Sequence, residues 1–249
     1  MKKYALRAAL ALFLTAVALV TVLRGVNFTR ARPSRSSIAA LSESAYPTLT
    51  LILDPGHGGS DGGAVSENGT VESALNLDIA RRADALLAFF GVRTVLTRAS
   101  EELTYSSAAT TLRARKTEDQ KARLALIRAT PNAALISIHQ NKYPQPGPFG
   151  AQVLYAPTAG SETFGKNMQT LLVASLDAGN RRGAVRIQDT IYLMNNIACP
   201  AILIECGFLS NPREETLLNT DAYRLRLAAV IAAGYLREEE SLAALYITS

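Results

Sequence analysis

From Thr48 onward, short apolar runs alternate with longer stretches of helical periodicity, and this alternation constrains the fold more than any other feature of the sequence. TLTLILD (48–54), VRTVLT (92–97), ALISI (134–138), AQVLYA (151–156) and PAILIE (200–205) have the length and composition of buried strands. Between the first two, VESALNLDIARRADALLAFFG (71–91) sets Leu75, Ile79, Leu86, Leu87 and Phe90 at helical spacing and closes on Gly91. Thr111 to Arg128 reads as a charged amphipathic helix, Glu162 to Leu176 as another, and Arg213 to Leu236 as further helical material, with IYLM (191–194) as a weak strand. The alternation predicts one α/β domain with helices on both faces of its sheet.

Composition agrees. With 48% hydrophobic and 19% charged residues in 249, most of the chain has the apolar content for a sizeable core, which excludes disorder for it. The formal charge of +5 is uneven: residues 1–46 carry seven basic residues and one acid, leaving the remainder close to neutral. A near-neutral folded part makes nucleic acid a poor partner. The basic arm holds Ala8 to Leu23, sixteen residues without a charge, behind Lys2, Lys3 and Arg7. Residues 1–26 therefore read as a signal peptide or an uncleaved membrane anchor, and the Ser-rich, Pro-broken residues 27–46 as a linker. The catalytic domain is expected over 47–240, with 241–249 as a C-terminal tail.

Three of the strands end in chemistry-bearing residues, where α/β sheets gather functional groups. The first leads into Asp54-Pro55-Gly56-His57-Gly58-Gly59, ALISI into His139-Gln140-Asn141, and AILI into Glu205-Cys206-Gly207. The chain has two histidines, and both stand at such ends. Two imidazoles with a carboxylate suit a divalent ion, zinc above all. Glu72, opening the helix after the glycine-rich loop, and Glu205 both qualify as the third ligand, and spacing alone does not separate ligand from base. Asp61 and Glu67 read as solvated loop residues, and Asp54 and Asn141 as partners for the histidines. DPGHGGSDGGA has five glycines in eleven residues but no Walker or Rossmann pattern, so its glycines suit close backbone approach to a bound ion.

Other features read plainly. Cys199 and Cys206 bracket one extended segment of roughly 23 Å, too long for a bridge, so both are expected as free thiols. Cys206 beside Glu205 leaves a cysteine-hydrolase reading open. Arg113, Arg115, Lys116, Lys121 and Arg123 read as a solvated helix face or a contact for anionic substrate, as do Arg181, Arg182 and Arg186.

LDPGHGGSDGGA, Glu72 in VESALNL, LISIHQN and ILIECGFLSN, in that order, resemble the four signature blocks of the zinc-dependent N-acetylmuramoyl-L-alanine amidases. The resemblance implies one zinc ion per chain on His57, Glu72 and His139, Glu205 as catalytic acid/base, and a mixed, mostly parallel sheet of about six strands. It implies hydrolysis of the amide between muramic acid and L-alanine in peptidoglycan. TLRARKTEDQKARLALI (111–127) and Cys206 are similar to the sporulation, germination-specific members, which strip peptides ahead of muramic-δ-lactam formation in the spore cortex. That implies an extracytoplasmic protein, membrane-anchored or secreted, in the intermembrane space of the developing spore, with a deacetylase or accessory protein as partner. The second block departs from the family's Glu-Lys-Asp with Glu72-Ser73-Ala74, which keeps the ligand. A metal-free wall-binding protein and a zinc peptidase cutting stem peptides are the alternatives.

Overall fold

The computed structural model describes residues 47–247, so the signal or anchor segment 1–26 and the linker 27–46 lie outside the described residues. Among the described residues, no helix is long and apolar enough to cross a membrane.

Six strands, β1 (Thr50–Pro55), β2 (Arg93–Leu96), β3 (Ala133–Asn141), β4 (Gln152–Tyr155), β5 (Val185–Arg186) and β6 (Ala201–Phe208), form one sheet in the order β2-β1-β3-β6-β4-β5. β2, β1, β3 and β6 run parallel. β4 lies antiparallel to β6, and β5 follows β4. The sheet is thus mixed and mostly parallel, in a single α/β domain.

The helices are α1 (Glu72–Phe89), α2 (Leu112–Ala129), α3 (Ser161–Leu176), α4 (Tyr192–Asn195), α5 (Pro212–Leu218) and α6 (Asp221–Ala244). Side chains alternate across a strand, so each central strand feeds two cores. Leu51, Leu53, Ile136, Ile138, Ile202 and Ile204 pack with Ile79 and Leu87 of α1, Phe164 and Met168 of α3, and Leu227 and Ile231 of α6. Ile52, Leu135 and Leu203 pack on the other face with Leu124 and Ile127 of α2 and Leu193 and Met194 of α4. Helices cover both faces, as the alternation required. Each fully buried Leu or Ile contributes roughly 1.5–3 kcal/mol.

Two expectations change, and a third gains detail. IYLM is not a strand: Tyr192–Asn195 is a single helical turn. Asn195 Nδ2 donates to the carbonyls of Gln188 and Ile191, and Asn196 Nδ2 to that of Tyr192, turning the chain where a strand would need a neighbour to pair with. The helical material after β6 is two helices, because the Thr220 side chain accepts the Tyr223 N–H and starts α6 afresh. α6 then runs past Leu236 to Ala244 and buries Leu242 and Ala243, so residues 241–244 belong to the core rather than to a tail. The Tyr246 hydroxyl goes on to bond the Ala133 carbonyl.

Candidate metal centre

The carboxyl ends of β1, β3 and β6 lie side by side. His57 follows β1, while His139 and Glu205 are register partners on β3 and β6. They share the strand phase of Leu135 and Leu203, so both face the α2–α4 side of the sheet. Glu72 opens α1, where the positive end of the helix dipole favours a carboxylate.

The fold brings His57, Glu72 and His139 together, with one ligand atom from each lying within 4.8 Å of the others. Glu72 Oε1 is 3.4 Å from His57 Nε2 and 3.0 Å from His139 Nδ1. Donors about 2.0–2.1 Å from a tetrahedral zinc stand roughly 3.3 Å apart, so these spacings fit such an ion. The carboxylate is itself fixed, with Oε2 accepting the Ala64 N–H at 2.7 Å and Oε1 the Gln140 N–H at 3.0 Å.

Two glycines make the convergence possible. A Cβ on Gly56 would lie 2.1 Å from His139 Cε1. One on Gly63 would lie 2.5 Å from Glu72 Oε2 and 2.7 Å from His57 Cδ2. His57 itself has φ +62°, a left-handed conformation costing roughly 1–2 kcal/mol for a residue with a Cβ.

Asp61, expected to be solvated, turns back onto His57. Its Oδ2 lies 2.8 Å from His57 Nδ1, and Lys116 and the Gly63 N–H hold the other oxygen. With Nδ1 engaged, Nε2 is left for an ion, the arrangement in which a carboxylate orients a metal-binding imidazole. The signal was present in the spacing: an acid four residues beyond a histidine, in a loop that the Gly58–Asp61 bridge folds back. Asp54 and Asn141 take other partners. Asp54 is buried against Arg123, Thr97 and Ser137, and Asn141 joins the β3–β6 ladder and accepts the Leu209 N–H.

Charge is concentrated here. Burial opposes ionisation of Glu72, but the His139 and His57 rings outweigh it and hold the carboxyl well below its usual range. Burial likewise opposes a charged His57, yet Glu72 and then Asp61 push it up to about 9. Glu205 behaves oppositely: burial, reinforced by Glu72 and only partly offset by the histidines, pushes it up to about 7. Its Oε2 is buried with no hydrogen-bond partner. Burial also pushes the Cys206 thiol far above its ordinary value, so it offers no thiolate near neutrality. Both cysteines are free.

These groups line a cleft of about 470 Å³, walled by Lys116, Gln120 and Arg123 of α2 on one side and by Ile191, Tyr192 and Met194 on the other. The basic helix face divides. Arg123 is 3% exposed, Lys116 pairs with Asp61, and Arg115 reaches Ser60, while Arg113 and Lys121 face solvent. Arg182 lies 4.4 Å over the Phe208 ring and bonds the Phe149 carbonyl, whereas Arg181 and Arg186 are exposed.

A model of the N-acetylmuramoyl-L-alanine amidases matches residues 51–237, from the second residue of β1 through all but the last turns of α6. The chain belongs to this amidase family. The germination-specific N-acetylmuramoyl-L-alanine amidase of Bacillus subtilis (strain 168) is 39% identical over 188 residues, 75% of this chain and 78% of the relative. The amidase LytC of the same organism is 31% identical over 74% of this chain, which spans only 34% of LytC. Among solved structures, the CwlD amidase from Clostridioides difficile, in complex with the GerS lipoprotein, superposes with a TM-score of 0.74 at 33% identity, covering 77% of this chain and 98% of that one. An N-acetylmuramoyl-L-alanine amidase from Clostridium difficile 630 gives 0.66 at 29% identity, over 78% and 98%. The amidase is therefore a hydrolase of the bond between N-acetylmuramic acid and L-alanine, and peptidoglycan is its substrate.

Proposed function

We propose that this amidase is zinc-dependent, with His57 Nε2, Glu72 Oε1 and His139 Nδ1 as the ligands and Glu205 as the acid/base. The observation carrying this reading is the pairing of three convergent donors with an unpartnered, buried carboxylate oxygen in one cleft. Zinc bound there supplies Lewis acidity toward the scissile carbonyl. Glu205 takes a proton from the attacking water and returns it to the departing L-alanine amine. A carboxyl raised by burial suits both duties, since it holds neither proton nor charge tightly near neutrality. Asp61 keeps His57 in the tautomer that presents Nε2.

The relatives support a reading of the biological setting. The likeness to a germination-specific amidase and to the amidase solved with a lipoprotein supports work on the spore cortex, ahead of muramic-δ-lactam formation, with an accessory protein as partner. We infer an extracytoplasmic location, membrane-anchored or secreted, with residues 1–26 as the signal or anchor.

The test is Glu205→Gln. It should bind zinc stoichiometrically and keep its thermal midpoint, yet release stem peptide from peptidoglycan about 10²–10⁴-fold more slowly. Turnover within tenfold of wild type would remove Glu205 from the chemistry. A split stem peptide in place of a free muramoyl lactyl carboxylate would mark a peptidase.

A further inference from the structure

We propose that Arg123, assisted by Arg98, is a positioning residue that holds His57 in the backbone conformation the metal cluster needs; this rests on the zinc reading above. Arg123 sits on α2, and Arg98 two residues beyond the end of β2, and both are buried. From one side, Arg123 Nη1 donates to the Pro55 carbonyl at 2.8 Å and Nη2 to the His57 carbonyl at 2.6 Å. From the other, Arg98 Nε donates to the Pro55 carbonyl at 3.0 Å and Nη2 to that of Gly56 at 3.1 Å. Three consecutive carbonyls, leading from the end of β1 to the metal-facing imidazole, are thus each held by a guanidinium.

The held stretch ends at the left-handed His57. A histidine there relaxes toward ordinary backbone unless its surroundings over-determine it. Turning the peptide after His57 would pull its carbonyl away from Arg123 Nη2. Arg98 Nη2 also donates to the Ser73 carbonyl at 2.8 Å, tying the loop to the first turn of α1 beside Glu72. The two arginines therefore set His57 and Glu72 against one another.

Their own placement is built in. Arg123 Nη1 donates to Asp54 Oδ1 at 2.6 Å and Nε to Asp119 Oδ2 at 2.9 Å. Asp54 in turn accepts from Thr97 and Ser137. A buried charged network is a poor way to gain stability, since well-packed apolar residues serve at least as well. Its value here is geometric. A lysine ammonium keeps the charge opposite Asp54 but lacks the planar fork that reaches Asp54, Pro55, His57 and Asp119 together.

The experiment uses the full chain with Arg123→Lys, Arg98→Lys and, as a control far from the cleft, Arg224→Lys, which loosens a surface network with Asp78 and Asp221. Zinc affinity is read by chelator competition, cobalt-loaded protein by its visible spectrum, and folding by thermal melts. The expected result is zinc binding weakened about tenfold or more in Arg123→Lys, with a shifted cobalt spectrum, at temperatures where it is folded. Arg224→Lys should lower the melting temperature and move neither metal readout. Should Arg123→Lys fail to fold, Arg98→Lys decides by the same measures. Zinc affinity within about twofold of wild type and an unchanged cobalt spectrum in the folded variant would overturn the proposal. A wild-type protein that binds no zinc would instead overturn the reading on which it rests, and the proposal with it.

Discussion

Gly56→Ala isolates the packing that lets two histidines converge on the Glu72 carboxylate. The new Cβ would sit 2.1 Å from His139 Cε1, and ordinary contact begins near 3.4 Å, so the ring must retreat by about 1.3 Å. Gly56 is not among the positive-φ positions, so alanine brings no backbone strain and the effect is steric alone. A retreat of that size takes His139 Nδ1 out of its 3.0 Å reach of Glu72 and spoils the donor triangle. Misplacement by about 1 Å costs on the order of 10²-fold in rate, near 2.7 kcal/mol of transition-state stabilisation. The stability cost should be smaller, about 1–3 kcal/mol for overpacking. The assay is stem-peptide release from peptidoglycan, with zinc content and melting temperature measured in parallel. Gly147→Ala is the comparison, because nothing lies within 4 Å of the Cβ added there. A Gly56→Ala protein with wild-type kcat/KM and full zinc would refute the argument that this glycine positions His139.

The other predictions concern the body of the domain. Asp54→Asn should cost about 1–3 kcal/mol near neutral pH, because it removes the fully buried carboxylate facing Arg123 and leaves that charge only Asp119. Burial alone would raise the Asp54 carboxyl, but Arg123, Ser137 and Thr97 bring it below its ordinary value. A depressed folded pKa adds stability above the unfolded value near 4 and loses it as pH falls through the folded one. The gap between wild type and variant in thermal melts should therefore narrow below pH 4. Alkylation of the native protein should spare Cys206, which is fully buried, while denaturant exposes two free thiols to mass spectrometry. Leu242→Ala should lower stability by about 2–5 kcal/mol in denaturant titration, since the side chain is 2% exposed. A loss under 0.5 kcal/mol would return this stretch to the status of a tail.

The strands were legible because their signal is local. Five apolar runs bounded by turn residues read as strands whatever surrounds them, and the five main strands lie where those runs do. IYLM failed because four apolar residues carry no usable period, and the asparagines after it, bonding back to earlier carbonyls, settled the turn. Leu242 and Ala243 were missed because nothing in a short apolar pair says whether a helix has ended before it; burial in the main core, beside the start of α3, extends it.

The site divides in the same way. That both histidines close parallel strands was in the sequence, because alternation and strand ends are properties of nearest neighbours along the chain. Which carboxylate meets them was not. The backbone spacing left Glu72 and Glu205 equivalent, and only the start of α1, with Gly56 and Gly63 clearing the way, set Glu72 between the rings and Glu205 apart with a free oxygen. Arg123 shows the limit most clearly. In sequence it is one more cation on a charged helix, and in the fold it is buried between Asp54 and the His57 carbonyl, 66 residues away along the chain. Sequence by itself determined which residues could do the chemistry and at which end of the sheet they stand. Tertiary structure decided their distances, partners and protonation, because those depend on groups far apart in the chain brought together out of water.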